Sequence, residues 1–228
     1  HDGCSCVQGR RTTPSFLTYD DGQLVVGQLA KRGRWRNPSR VIFNAQGLMG
    51  VPYNDALRPK YPFPVSSEAD SAEEDAAAGG GEGSAAAKKP SGGKAAGVVM
   101  DVAGHRLTPR EVAAHVVENL TASAEHKLHQ PPGYAVLAVP SYFNKAQKAE
   151  AHRAVAEGTG VEAVEVIEDA TAALVAAKFS GAMGPLEEEH FDRPWCVVDV
   201  GGLVTQVRLL LVACRVQRRG RQEGLTLV

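Results

Sequence analysis

Apolar and polar positions change period several times along the chain, and each change marks an element. Residues 16–19 read as a strand, Asp20-Asp21-Gly22 as a turn, and residues 24–27 as the returning strand of a hairpin. Asn37-Pro38-Ser39 signals the start of a short helix over residues 41–49, closed by Gly50. Residues 98–102 form the next predicted strand, ending at Ala103-Gly104. Thr108-Pro109-Arg110-Glu111 is a helix start: the Thr hydroxyl can accept from a free amide, Pro suits the first helical position, and Glu111 can reach back. Val112, Val116, Leu120, Ala124 and Leu128 then share one face, with Ala113 and Val117 beside it, and Pro131-Pro132 ends the run.

From there strand and helix patterns alternate. Residues 134–139 read as a buried strand. Asn144-Lys145-Ala146-Gln147 opens a helix to about residue 157, stopped by Gly158 and Gly160. Residues 161–167 are strand-like, and 169–179 are Ala-rich and helical. Residues 195–200 form a strand, apolar but for Asp199, running into Gly201-Gly202, and 204–212 another strand. This order predicts an α/β sheet with helices packed on it. The Gly-Gly turn joins two strands, so it is not the dinucleotide fingerprint, which needs a strand followed by a helix.

Residues 66–97 interrupt the pattern. Residues 66–78 are acidic and Ala-rich, and 79–97 are built from Gly, Ala, Ser and Lys. Such a stretch cannot bury enough apolar surface to offset its ordering entropy, and it reads as a disordered insert. Its run Gly79-Gly80-Gly81-Glu82-Gly83 has no Gly-Lys-Ser/Thr ending and no apolar strand feeding it, so it is not a phosphate loop.

Composition narrows the function. With 43% apolar residues, 22% charged residues and a formal net charge of −1, the chain has the balance of a globular protein. It lacks the basic excess that holds nucleic acid by bulk electrostatics, so no nucleic-acid partner is expected. The basic run Arg215, Arg218, Arg219, Arg221 reads as a solvated tail. No stretch approaches the ~20 apolar residues that span a bilayer, and no membrane partner is expected. His1-Asp2-Gly3 offers no signal-peptide pattern, and the missing Met points to a lost natural N-terminus. Cys4 and Cys6 lie too close to bridge easily, and no Cys/His spacing suits zinc. Cys196 reads as a core hydrophobe, while Asn119-Leu120-Thr121 is a glycosylation triplet only by chance, inside a helical pattern.

Six blocks then occur in a familiar order: Arg11-Thr12-Thr13-Pro14-Ser15; Ala30-Lys31-Arg32 with Asn37-Pro38; Leu107-Thr108-Pro109-Arg110-Glu111; residues 139–147, Val-Pro-Ser-Tyr-Phe-Asn-Lys-Ala-Gln; residues 166–174; and Asp199-Val200-Gly201-Gly202. This order resembles the nucleotide-binding domain of the 70-kDa heat-shock chaperone family. The resemblance covers most of residues 9–212 outside the insert. It implies an actin-like, ribonuclease-H-like ATPase fold, here a partial one: a mixed sheet with flanking helices plus the low-complexity insert. On this reading residues 1–14 are a remnant of the first subdomain. Residues 15–110 form the outer subdomain, carrying the insert at 66–97. Residues 111–190 form the first-lobe α/β subdomain, and 191–228 the start of the second lobe with a divergent tail. The family's first phosphate hairpin, adenosine pocket and peptide-binding domain are expected to fall outside this chain.

The resemblance also implies chemistry. ATP hydrolysis in such a cleft rests on positioning and charge stabilisation. The implied cofactors are ATP or ADP with Mg²⁺. Asp199 takes the family's acidic position, facing Mg²⁺ through water, and Gly201 and Gly202 keep the first half of the second phosphate loop. Leu203 and Val204 replace the family's third Gly and its Thr, and Gln206 replaces the next Asp. Gln46 stands where the family has its catalytic Lys, so developing negative charge loses its partner. Asp169 replaces the family's Glu and can still reach Mg²⁺ through water; it can equally cap the helix it begins. Pro140 matches the switch proline, with Lys148 in place of its Arg partner, keeping the charge without the bidentate fork. Tyr142 and Phe143 are expected in the core.

The implied function is the ATP-binding domain of a heat-shock-type chaperone assisting protein folding, with weak or no ATPase in this chain. The implied partners are J-domain co-chaperones, nucleotide-exchange factors and, through a domain outside this chain, unfolded polypeptides. The alternatives are a non-catalytic, heat-shock-like binding or regulatory module, or an incomplete gene-model fragment. The compartment stays open between cytoplasm and organelle, mitochondrial or plastid.

Overall fold

The computed structural model describes residues 12–69, 96–161, 163–181, 194–201, 204–213 and 226–227. Most of the insert with its Gly run at 79–83, the basic run at 215–221, Arg11, Gly202, Leu203 and the cysteines at 4, 6 and 214 lie outside these residues. The chain divides into two compact units: His1–Ala135 with Lys145–Val164, and Val136–Asn144 with Glu165–Val228.

In the first unit the predicted hairpin forms. β1 (Phe16–Asp20) pairs antiparallel with β2 (Gln23–Val26) up to Asp20↔Gln23. Asp21 and Gly22 between them both have positive φ, 47° and 76°, as in the two-residue turn whose twist matches its strands. β2 leads into α1 (Gln28–Gly33), an element the sequence pattern did not show. β3 (Ile42–Phe43) flanks β1 on its other side, giving the order β2-β1-β3. The helix expected over 41–49 is absent. Val41 and Ile42 are β-branched and buried, and such residues favour an extended path. The chain instead passes through short 3-10 helices at Pro38–Arg40 and Ala45–Leu48, before and after β3.

A second sheet has the order β4-β5-β6, from β4 (Val65–Ser67), β5 (Val98–Val102) and β6 (His105–Leu107). Ser66 and Ser67 pair with Val99 and Val98, so these first residues assigned to the insert belong to the sheet. Leu17, Ile42, Leu48, Phe63, Met100 and Val112 pack into one core that joins both sheets to the next helix.

That helix, α2 (Pro109–Leu128), begins with the expected capping box: Glu111 N–H donates to Thr108 Oγ1 at 3.2 Å, and Thr108 N–H donates to Glu111 Oε2 at 2.8 Å. Only the first half of its predicted face is covered. Val112 and Val116 are buried, whereas Leu120 and Leu128 are exposed. α3 (Lys145–Thr159) packs against α2 through Ala151, Ala154 and Val155. Gly158 does not stop this helix as expected; it lies inside it. A Cβ there would stand 2.6 Å from the Ala114 carbonyl oxygen, so glycine permits the helix contact. Gly160, at φ 64°, follows the helix end.

β7 (Tyr134–Val139) pairs with β8 (Ala163–Glu168). β7 is not the buried strand expected: Val139 is buried, but Tyr134 is 83% exposed and Val136 is exposed, because alternate residues face opposite sides. In the second unit α4 (Asp169–Phe179) follows β8 directly. β9 (Pro194–Val200) and β10 (Thr205–Ala213) then form an antiparallel ribbon, with β11 (Thr226–Leu227) on the far edge of β10. Two further expectations are corrected, the first by the same alternation. Cys196 is exposed with Val198 and Val200 on one face of β9, while Trp195 and Val197 are half-buried. Tyr142 is exposed and only Phe143 is buried. The described architecture is mixed α/β, distributed over several small sheets. Among the described residues no helix is long and apolar enough to cross a membrane.

Candidate functional site

The second unit brings two of the sequence-predicted acids together from separate elements. Asp169 is the first residue of α4. Its Oδ1 accepts from the Ala170 amide at 2.7 Å and from the Ser141 hydroxyl at 2.8 Å. A carboxylate suits this place, since the unpaired amides of a first helical turn favour negative charge. Ser141 follows Pro140 just past the end of β7. The Pro140 carbonyl, accepting from the Phe143 amide at 3.0 Å, closes the turn that holds it.

Asp199 stands near the end of β9, directly across the ribbon from Gln206 on β10. The Gln206 Nε2 donates to Asp169 Oδ2 and also to Asp199 Oδ2, the latter at 3.3 Å. One neutral amide therefore joins two carboxylates. Neither carboxylate makes an ion pair among the described residues. Gln206 Oε1 is buried and finds no donor there.

Two residues along β10, on the same face, Arg208 Nη2 donates to Glu168 Oε2 at 2.6 Å. This half-buried, charge-compensated pair ties β10 to the residue before α4. Sequence reasoning missed Ser141, the bridging role of Gln206 and the Glu168–Arg208 pair. The period-two spacing of Gln206 and Arg208 on a predicted strand was the available signal.

Gly201 ends β9. Its N–H donates to the Val204 carbonyl at 3.0 Å, and a Cβ would approach that oxygen to 2.8 Å. Glycine is thus required for the turn, and its amide is committed within it. Val204 itself is exposed. Gln46 and Lys148 belong to the first unit: Gln46 is exposed in the Ala45–Leu48 turn, and Lys148 is half-buried on α3.

The donors gathered here are oxygens. Hard divalent cations prefer such ligands, and Mg²⁺ is commonly held by one or two carboxylates together with water and phosphate. Asp169, Asp199 and Ser141 supply that chemistry, and the unpartnered Gln206 Oε1 is a further oxygen. The residues therefore fit Mg²⁺ in kind, with the Gln206 amide group as a competitor for the same carboxylates. No cluster of three or more His, Cys, Asp or Glu side chains suited to a metal occurs among the described residues.

The family model described as Hsp70 protein matches residues 5–216. Among curated relatives, the chaperone protein DnaK of Psychrobacter cryohalolentis is 26% identical over 211 residues, covering 91% of this chain and 28% of that relative. The chain thus spans little more than a quarter of that relative's length. With the model matching nearly the whole sequence, the chain belongs to the Hsp70 protein family.

Proposed function

We propose that the chain is the ATP-binding portion of a heat-shock-type chaperone, with a divergent nucleotide site that turns ATP over slowly or not at all. The observation that carries this reading is the meeting of Asp169 and Asp199 across Gln206, from the start of α4 and the end of β9. The expected fold is the actin-like, ribonuclease-H-like one, with residues 15–110 as the outer subdomain, 111–190 as the first-lobe subdomain and the second lobe beginning at 191. J-domain proteins, nucleotide-exchange factors and unfolded polypeptides are the partners expected of the longer protein.

In this site Mg²⁺, when bound, would screen the phosphate charge. Asp169 and Asp199 would hold it through water, and Ser141 fixes the orientation of Asp169. The residues that should favour hydrolysis are the altered ones. Gln46 carries no charge to meet negative charge growing on the γ-phosphate. Val204 has no hydroxyl, and the Gly201 amide is already bonded within its turn. Gln206 satisfies both carboxylates without a metal, and this favours a second reading, a non-catalytic binding module.

Phosphate release and Mg·ADP calorimetry separate the two readings when run on the longer protein expected to supply the first phosphate hairpin and the adenosine pocket. They are repeated on a variant combining Gln46→Lys, Leu203→Gly, Val204→Thr and Gln206→Asp. The first reading expects Mg-dependent ADP binding that the fourfold variant tightens, with wild-type turnover near background. Nucleotide binding absent from both proteins supports the module. Mg-dependent binding unaffected by Asp199→Asn contradicts the site.

A further inference from the structure

The strongest unexplained surface lies in the first unit, on residues to which no nucleotide role is assigned. Residues 31–40 carry Lys31, Arg32, Arg34, Arg36 and Arg40 and no acidic residue, in a chain whose formal net charge is −1. Lys31 and Arg32 have a local reason, since cations suit the last turn of α1. Arg34 has another: its guanidinium lies 5.7, 5.1 and 5.3 Å from the ring centroids of Phe16, Trp35 and Phe43. Arg36 and Arg40 lie beyond the helix, exposed. None of the five cations makes an ion pair with a described residue.

Arg32, Arg36 and Arg40 line one open cavity of about 530 Å³, whose wall includes the apolar side chains of Val25 and Leu29 as well as Asp20. Leu29 is 56% exposed, and Trp35, next to Arg36 in the sequence, is 82% exposed. Trp and Arg are the residue types that dominate binding hot spots, and the planar guanidinium pairs two-pronged with carboxylates. Neither folding nor the nucleotide reading uses this combination.

We infer that this cavity is a docking site for an acidic peptide segment of a partner protein, its carboxylates taken by Arg32, Arg36 and Arg40 and an apolar side chain set against Val25 and Leu29. Charge complementarity selects an anion, and the apolar wall selects a peptide. A nucleic-acid backbone gains nothing from Leu29 and draws on an extended cationic tract, whereas the cations lining this cavity come from one short segment. The proposal is independent of ATP binding and survives if the nucleotide reading fails.

The test is fluorescence anisotropy with the full chain and a labelled peptide of alternating Glu and Leu, beside a Lys/Leu peptide and a single-stranded oligonucleotide. The Glu/Leu peptide is expected to bind with a micromolar Kd at low salt, weakening by about tenfold when salt rises enough to cut the screening length to roughly half. Arg36→Glu combined with Arg40→Glu is expected to weaken it by at least about tenfold, or 1.4 kcal/mol. Trp35→Ala is expected to weaken it by a smaller factor. These positions are exposed, and an unchanged circular-dichroism melt confirms that each variant folds. No binding of the Glu/Leu peptide, binding indifferent to the double reversal, or tighter binding of the oligonucleotide would overturn the inference.

Discussion

Replacing Gln206 with Glu probes the candidate site at its centre with almost no change in shape. The wild-type amide donates to two carboxylates. Hydrogen bonds to charged partners contribute about 1.5–3 kcal/mol each, and the 3.3 Å bond to exposed Asp199 belongs below that range. The variant loses both and sets a third negative charge against the first two. At ~5 Å and an effective dielectric between about 20 and 80, each such repulsion costs roughly 1–3 kcal/mol. After relaxation toward solvent, a net loss of about 3 kcal/mol follows near pH 7 and low salt. For a chain of this size that lowers Tm by roughly 6–12 °C.

The pH dependence has a definite sign. Two facing carboxylates hold the introduced carboxyl protonated to higher pH than a free glutamate. The folded variant then binds a proton that the unfolded chain has released, so its stability falls as pH rises through that range. The deficit against wild type should shrink near pH 5, and millimolar Mg²⁺ should also reduce it. A Gln206→Met control loses the hydrogen bonds but should show no such pH or Mg²⁺ effect. Thermal melts followed by circular dichroism measure all three proteins. A Gln206→Glu variant melting with wild type near pH 7, indifferent to pH and Mg²⁺, would refute the bridge.

Gly158→Ala should destabilise the first unit by about 1–3 kcal/mol in urea unfolding, because its Cβ meets the Ala114 carbonyl oxygen at 2.6 Å, outweighing the better helix propensity of Ala. Thr108→Ala removes the capping box of α2 and should cost about 1 kcal/mol by the same assay. Gly201→Ala should loosen the β9–β10 turn, read as faster hydrogen exchange at the amides of position 201 and Thr205, because its Cβ crowds the Val204 carbonyl.

Much of the fold was legible wherever the signal is local. Asp21-Gly22 announces a tight hairpin, Thr108 to Glu111 announces a helix start, and residues 169–179 announce α4 with the observed limits. The misreadings came from contacts distant in sequence. Val41 and Ile42 enter the core as extended chain, and Gly158 serves a neighbouring helix rather than a boundary. At the site, Asp169 and Asp199 were visible as acids beside a helix start and a glycine pair. Their connection was not, because it depends on Gln206 lying opposite Asp199 in one particular strand register. A one-residue slip would turn Gln206 to the other face.

The most direct test titrates Mn²⁺ into the ¹⁵N-labelled chain and reads paramagnetic broadening residue by residue. The account predicts broadening first at Ser141, Asp169, Asp199 and Gly201, abolished by Asp199→Asn. Broadening confined to other acidic stretches, or unchanged in that variant, would contradict it.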